Sequence, residues 1–406
     1  MADNRTAAYG ILRDLGPVGL SQSGSYWILS SDEAEFALKH PDLFSSRESF
    51  DAVGSHLPLV PIAFDPPQHT RYRRILHPFF SPRKIASWEP AVRALAGELV
   101  DGLAGRGECD LVTDLAVPLP AQVFLTLFGL PLEDMDRLIS WKDGLLHGSG
   151  APATLATAPA CPATPATPAG QSRRQPSEQA QQLSAELYEY LVRHIARRRP
   201  CEDTSDLLGQ LLADTSDQRL DDAEILSLSY LFVLAGLDTV NSALSTAFAL
   251  LADQPALRRQ IAADPASIPD AVEELLRFDG PFFFIARVTT QDVELAGQLI
   301  PAGAHVNIAL AVANRDPAGH SDPDTINLRR RERNLAFGWG PHLCLGVHLA
   351  RMELRATLAE WHRRIPEYQL APGVSPRVTW PEGAVSIASL PLVFPSAGLR
   401  PARPHQ

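Results

Sequence analysis

Residues 337–346 constrain this chain most. They read Phe-Gly-Trp-Gly-Pro-His-Leu-Cys-Leu-Gly, so Gly338, Gly340, Gly346 and Pro341 crowd a single cysteine, Cys344. Glycine supplies backbone angles closed to other residues and lets the main chain approach a bulky group. Pro341 fixes its own φ and removes a donor. The pattern predicts a tight loop with Cys344 at its tip. Residues 345–354 follow with apolar side chains at helical spacing, which sets the sulfur at a helix N-terminus. The helix dipole and free N–H groups there favour a thiolate. A thiolate in a loop that lets something flat come close suits axial ligation of haem iron.

Two other readings stand beside that one. A lone cysteine before a helix is most often a small buried hydrophobe. Zinc is the second, since His342, Cys344 and His348 lie close together. Structural zinc wants four ligands, commonly with paired cysteine spacing, and the sequence has no second Cys/His cluster nearby.

The rest of the composition excludes several classes. The net charge of −11 argues against nucleic-acid binding. An apolar content of 45% supports a sizeable core. Cys109, Cys161, Cys201 and Cys344 have no paired spacing, so a reducing cytosol fits better than a disulfide framework. The N-terminus lacks the apolar stretch of a signal peptide. The longest apolar run, residues 225–237, is short and interrupted by serines, so it reads as a buried helix and not a membrane span. The expectation is a soluble, cytoplasmic protein.

Along the chain, Tyr26-Trp-Ile-Leu-Ser has strand character and residues 31–39 read as a capped helix. Asp65-Pro-Pro opens a further helix on which His69 and Arg73, four apart, share one face. By default, His69, Arg71, Arg73 and Arg74 form a solvated basic face. Residues 115–130 are apolar almost throughout, and 132–147 are amphipathic. Residues 148–176 are mostly Ala, Pro, Thr, Gly and Ser and cannot bury enough apolar surface to order themselves. Asp221 then opens the most apolar helix. On it, Leu231, Leu234, Ala235, Asp238, Thr239 and Ser242 lie roughly on one face. Gly236 costs roughly 1 kcal/mol against Ala in a helix interior, and Thr239 can bond the carbonyl of residue 235 and open the helix. Either this is a core helix with a glycine at a crossing, or a local break holds a polar pair beside a ligand. Glu274 and Arg277, three apart, read as a surface pair. Phe282, Phe283 and Phe284 read as a strand buried on both faces, and residues 386–394 read as a C-terminal hairpin.

The string at 337–346 resembles the haem loop of the cytochromes P450, Phe-Gly-x-Gly-x-His-x-Cys-x-Gly, at every fixed position. Ala235-Gly-Leu-Asp-Thr239, Glu274-x-x-Arg277 and His69-x-x-x-Arg73 match further motifs of that family in its order and spacing, so the resemblance covers essentially the whole chain. It implies a mainly α fold with small β-sheets, a single domain over residues 1–406, and haem b held through iron by Cys344. His69, Arg73 and Arg287 would bind the haem propionates. Phe337, Gly338, His342, Gly346 and Ala235 complete the implied haem contacts. Gly236, Asp238 and Thr239 would form the oxygen site: Thr239 hydrogen-bonds the bound dioxygen, and Asp238 connects it to solvent protons. Scission of the O–O bond needs protons delivered to the distal oxygen, so a donor relay is required. Leu231, Leu234, Ala235, Phe282, Phe283, Phe284, Ile285 and Val385 would touch substrate, and an aromatic wall suits an apolar one. Glu274 and Arg277 become a buried, bracing ion pair.

Two stretches depart from the family's pattern. Residues 148–176 fall between its two lid helices, where the connection is usually short. Before the haem loop, Asn327-Leu-Arg-Arg330 stands where Asp-x-x-Arg is common and Asn334 where His is common, which leaves the third partner of Glu274 and Arg277 open. Residues 329–333 read as a solvated turn, or as part of a basic patch with Arg71, Arg74 and Arg351 that steers an acidic electron donor. The implied activity is that of a monomeric monooxygenase. It would take electrons from a ferredoxin and ferredoxin reductase, split O2, and hydroxylate or epoxidise a small apolar molecule such as a terpenoid or other secondary-metabolite intermediate. The rivals are a peroxygenase, an oxidative coupling or desaturation catalyst, and a non-catalytic haem-binding sensor. An intact Asp238–Thr239 pair argues against peroxide use and against a sensor.

Overall fold

In the computed structural model the described residues are 2–48, 54–146, 176–380 and 383–396. Most of the insertion at 148–176 therefore lies outside the described residues; Pro176 is inside them.

The helix Asp222–Asp253 runs through the middle of the protein. Its start is a capping box: Glu224 N–H donates to the Asp221 carboxylate at 2.8 Å, and Asp221 N–H donates to the Glu224 carboxylate at 2.9 Å. Apolar residues occur on all its faces, which is what a helix surrounded by protein requires. By length and composition it could cross a membrane, but 67% of its most apolar stretch is buried inside the protein. Two apolar cores meet along it. Residues from Ile225 to Leu237 pack with the helices Pro118–Phe128, Met135–Leu146 and Glu178–Arg198. Residues from Val240 to Ala252 pack with Glu89–Ala104, Ile268–Phe278 and Val347–Arg364. The hand-over falls at Asp238 and Thr239, so the polar pair sits at the seam.

A five-stranded sheet closes one side, in the order Val18–Leu20, Tyr26–Ile28, His305–Ile308, Ile285–Thr289, Phe44–Ser45. Arg287 is carried on its fourth strand. The C-terminal hairpin expected over 386–394 does not form. Ser386–Ile387 pairs with Val378–Thr379, whereas Pro391–Val393 pairs with Glu108–Asp110 and Gln369–Leu370. The apolar spacing does form strands, but each pairs outside the segment: Ser386–Ile387 with the neighbouring Val378–Thr379, and Pro391–Val393 with distant strands.

Glu274 and Arg277 are not a surface pair. Both are buried, joined by Nε–Oε2 and Nη2–Oε1 hydrogen bonds of 2.7 and 2.8 Å. The open third position is filled by Arg330, whose Nε donates to Glu274 Oε1 at 2.9 Å. The arginine run at 329–333 is thus not a plain basic patch. Arg330 points inward, Arg331 pairs with Asp270 and Arg333 with Glu35. Arg71 and Arg351 are likewise paired, with Glu224 and Glu273. Most of the positive charge expected to steer a partner is neutralised within the chain.

Candidate active site

Gly338 and Gly340 take φ of 70° and 69°, the left-handed region that the loop needs. A Cβ on Gly340 would lie 2.4 Å from the Leu38 carbonyl oxygen, so the loop reaches the helix Ser31–Lys39 only because that position is glycine. Cys344 N–H donates to the Phe337 carbonyl at 3.0 Å, which closes the loop. Gly346 caps the helix Val347–Arg364, and its backbone N–H favours the thiolate form of Cys344. The sulfur is at a helix N-terminus, as the spacing predicts. Cys344 as a residue keeps exposed surface, while burial of its thiol pushes that group up, against the pull of Gly346, Arg73 and Arg351. A bound metal cation is what would hold Cys344 as thiolate. Arg351 covers the Phe337 ring at 4.9 Å on this side of the loop.

Beside the sulfur lies a cationic group of side chains. His69 is buried and its ring lies 4.0 Å from that of His342, whose Nε2 is 3.2 Å from Ser46 Oγ. Burial, then Arg73, lower His69 to about 4. Burial, then His69 and Arg287, lower His342 to about 2, so both rings are neutral at pH 7. Burial also lowers Arg73, and brings Arg287 to about 10. The carboxylate in their field is Asp65, itself held by Ser45 and Ser46 at 2.5 to 3.1 Å. Two arginines and two neutral imidazoles gathered this way suit further carboxylates, which would take charge-assisted hydrogen bonds from them. The solvated basic face is therefore not what His69 and Arg73 form. Arg74 alone of that set is exposed.

On the central helix, Ala235 is exposed after four buried residues, and Gly236 and Thr239 are half-buried. An exposed alanine in a core helix marks open space next to it. Thr239 Oγ1 donates to the Ala235 carbonyl at 3.1 Å. The expected break is absent: the helix is continuous from Asp222 to Asp253. Gly236 serves the crossing instead, since its Cβ would lie 2.4 Å from Phe124 Cδ2. Gly236→Ala is expected to cost about 1–3 kcal/mol by overpacking, read as a lowered denaturant midpoint; an unchanged midpoint would contradict the crossing. Asp238 is buried and its Oδ1 accepts from Lys142 Nζ at 2.9 Å.

The expected substrate contacts divide. Leu231, Leu234, Phe283 and Val385 are closed into the core, Phe283 and Val385 with no exposed surface at all. Alternation along the extended segment explains Phe283, which turns into a cluster with Tyr9, Leu29 and Val312. Phe282, Phe284 and Ile285 keep accessible surface, as does Ala235. Lys142 was not foreseen. Its signal was a lysine within the apolar stripe Leu138, Trp141, Leu145 of an amphipathic helix.

The family model of cytochrome P450 matches residues 19–265 and 268–373. The chain is 32% identical over 357 residues to the probable cytochrome P450 127A1 of Sinorhizobium fredii, covering 87% of this chain and 80% of that one. It is 32% identical to the pentalenic acid synthase of Streptomyces avermitilis, covering 90% and 88%. The structure of a mutant of P450 EryK in complex with erythromycin B superposes with a TM-score of 0.85 at 29% identity, covering 100% and 99%. The chain belongs to the cytochrome P450 family, the haem-dependent monooxygenases. The cysteine at a helix start and the carboxylate-seeking cluster beside it fit that cofactor.

Proposed function

We propose that this protein inserts one oxygen atom from O2 into a small apolar molecule, a terpenoid or another secondary-metabolite intermediate, with electrons supplied by a ferredoxin. The observation that carries the reading is one exposed cysteine, its thiolate form favoured by the Gly346 N–H, beside the cluster of Arg73, Arg287, His69 and His342. When bound, the haem supplies the binding and reductive activation of dioxygen. Cys344 would hold its iron, and the cationic cluster its carboxylates. Phe337, Gly338 and Gly346 shape the loop that carries Cys344, and Ala235, small and exposed, would leave room for the cofactor. Thr239, whose hydroxyl is already oriented by the Ala235 carbonyl, would hold a proton at Oγ1 beside the oxygen site. Asp238 would resupply it. Phe282, Phe284 and Ile285 provide the apolar wall, and the similarity to a pentalenic acid synthase supports a terpenoid in front of it.

Thr239→Ala tests the proton route. Product formed per NADPH is expected to fall by about an order of magnitude or more, the scale of a lost general acid, while peroxide rises. A mutant with unchanged product per NADPH would sink that role. Titrating the ferric protein with a terpenoid panel tests the substrate class: a low- to high-spin shift supports it, and silence across the panel counts against it.

A further inference from the structure

The N-terminal helix Ala2–Arg13 presses one face against the start of the apolar wall. Arg5, Tyr9 and Leu12, four and three residues apart, form that face, and all three are buried. Arg5 holds Asp279 in a two-pronged ion pair. Its Nη1 donates to Oδ1 at 2.6 Å, its Nη2 pairs with Oδ2, and each side chain is 7% exposed. Asp279 caps the end of the helix Ile268–Phe278. One turn along from Arg5, Tyr9 stacks on Phe283, with ring centres 5.9 Å apart and planes 10° from parallel.

The two anchors grip both ends of residues 279–283. Other elements brace the same joint. Thr246 Oγ1 of the central helix donates to the Asp279 carbonyl at 3.1 Å. Arg315 donates from Nε and Nη2 to the Phe278 carbonyl at 3.0 and 2.5 Å, and from Nη1 to Thr6 Oγ1 at 2.7 Å, which ties the joint back to the N-terminal helix. Trp27 and Trp380 hold the Phe283 ring at 5.8 and 5.6 Å. Neighbouring side chains of an extended segment point to opposite faces. Sinking Phe283 against Tyr9 therefore turns Phe282 and Phe284 the other way, and both keep accessible surface. Apolar packing alone would fasten this helix as well, because desolvation offsets most of the attraction in a buried ion pair. A guanidinium–carboxylate fork differs in accepting one geometry. At the joint where helix gives way to wall, that geometry fixes the register of the residues that follow.

We propose that Arg5 and Tyr9 are positioning residues for the substrate wall: the N-terminal helix sets where Phe282 and Phe284 stand, and so the shape of molecule the site accepts. This rests on the functional reading above, in which those two side chains belong to the wall.

The test is a spectral titration of the ferric holoenzyme with imidazole and with 4-phenylimidazole. Imidazole asks for little space beyond the iron, whereas the added phenyl ring needs room beside the wall. The ratio of the two dissociation constants reads the wall. Tyr9→Leu and Arg5→Met are expected to shift that ratio by about tenfold, the scale on which an apolar pocket senses a methylene, while the thiolate-type band stays. Tyr9→Phe keeps the ring and holds the wild-type ratio. Val100→Ala, buried in the core around Glu89–Ala104, lowers the denaturant midpoint without moving the ratio, which separates positioning from lost stability. Tyr9→Leu strands no charge, so the test stands even where Arg5→Met does not fold. A wild-type ratio in Tyr9→Leu, or an equal shift in Val100→Ala, overturns the positioning role. Phe284→Ala checks the wall itself. An unchanged ratio there overturns the functional reading of the wall and this inference with it, whereas a shift there with none in Tyr9→Leu overturns this inference alone.

Discussion

Replacing Cys344 by alanine is expected to abolish turnover and the thiolate-type spectrum together. Cys344 is exposed at the start of Val347–Arg364, and the loop that presents it is closed by its own backbone, through Cys344 N–H to Phe337 O and Leu343 N–H to Gly340 O. Neither bond needs the side chain, and Gly338 and Gly340 keep their left-handed angles whatever residue 344 carries. Alanine therefore removes the ligand without removing the loop, and the loss is chemical rather than one of folding. Circular dichroism and the denaturant midpoint should stay close to wild type while oxidation of NADPH into product stops. Survival of both activity and spectrum would show that Cys344 is not the axial ligand. The cationic cluster gives this experiment an internal control. His69, Arg73, Arg287 and His342 would hold the cofactor's carboxylates and not its iron, so the alanine variant is expected to retain weak haem binding with an altered spectrum.

The second large effect is on stability. Arg277→Leu is expected to cost about 3–5 kcal/mol, the scale of breaking a buried ion pair from one side, out of a total of roughly 5–15 kcal/mol for a folded protein. All five guanidinium donors are used: Nε and Nη2 on Glu274, Nη1 on the Asn314 and Pro323 carbonyls, and Nη2 on the Thr325 carbonyl, at 2.7 to 3.0 Å. Leucine leaves three buried or half-buried carbonyls without that donor and leaves Glu274 to Arg330 and the Asn327 N–H. Those carbonyls belong to the chain that leads into the haem loop, so the variant should lose haem retention as well as midpoint. Arg277→Lys recovers little, because an ammonium cannot reproduce the planar fork. A leucine variant within about 1 kcal/mol of wild type in urea, below the usual cost of stranded polar groups, would mean that Arg330, the Asn327 N–H and solvent suffice.

The contrast between legible and illegible features follows from range. The haem loop could be read because its constraint is local: Gly338, Gly340 and Pro341 are there for backbone angles within a few residues of Cys344. His69 and Arg73 could be placed on one helix face by spacing, but the company of His342 and Arg287, 273 and 218 residues away in the sequence from His69, came only with the resemblance. Where the decisive partner is distant and chemically unspecific, spacing misled. The glycine at 236 was legible as a helix interruption or a crossing, and only the Phe124 ring decides for the crossing. Phe283 and Val385 alternate away from the site because Val385 N–H bonds the Pro281 carbonyl and Phe283 N–H the Gly383 carbonyl, a register that sequence does not carry. The same holds for the third member of the Glu274–Arg277 set, Arg330, and for the split of residues 386–394 between two sheets.

The most direct measurement is the absorption spectrum of the purified, reduced protein under carbon monoxide. With Cys344 as the ligand, the Soret band appears at the long wavelength characteristic of thiolate-bound haem. A band at the position typical of histidine-bound haem, or a protein that takes up no haem, would contradict the assignment of Cys344 and the oxygen chemistry built on it.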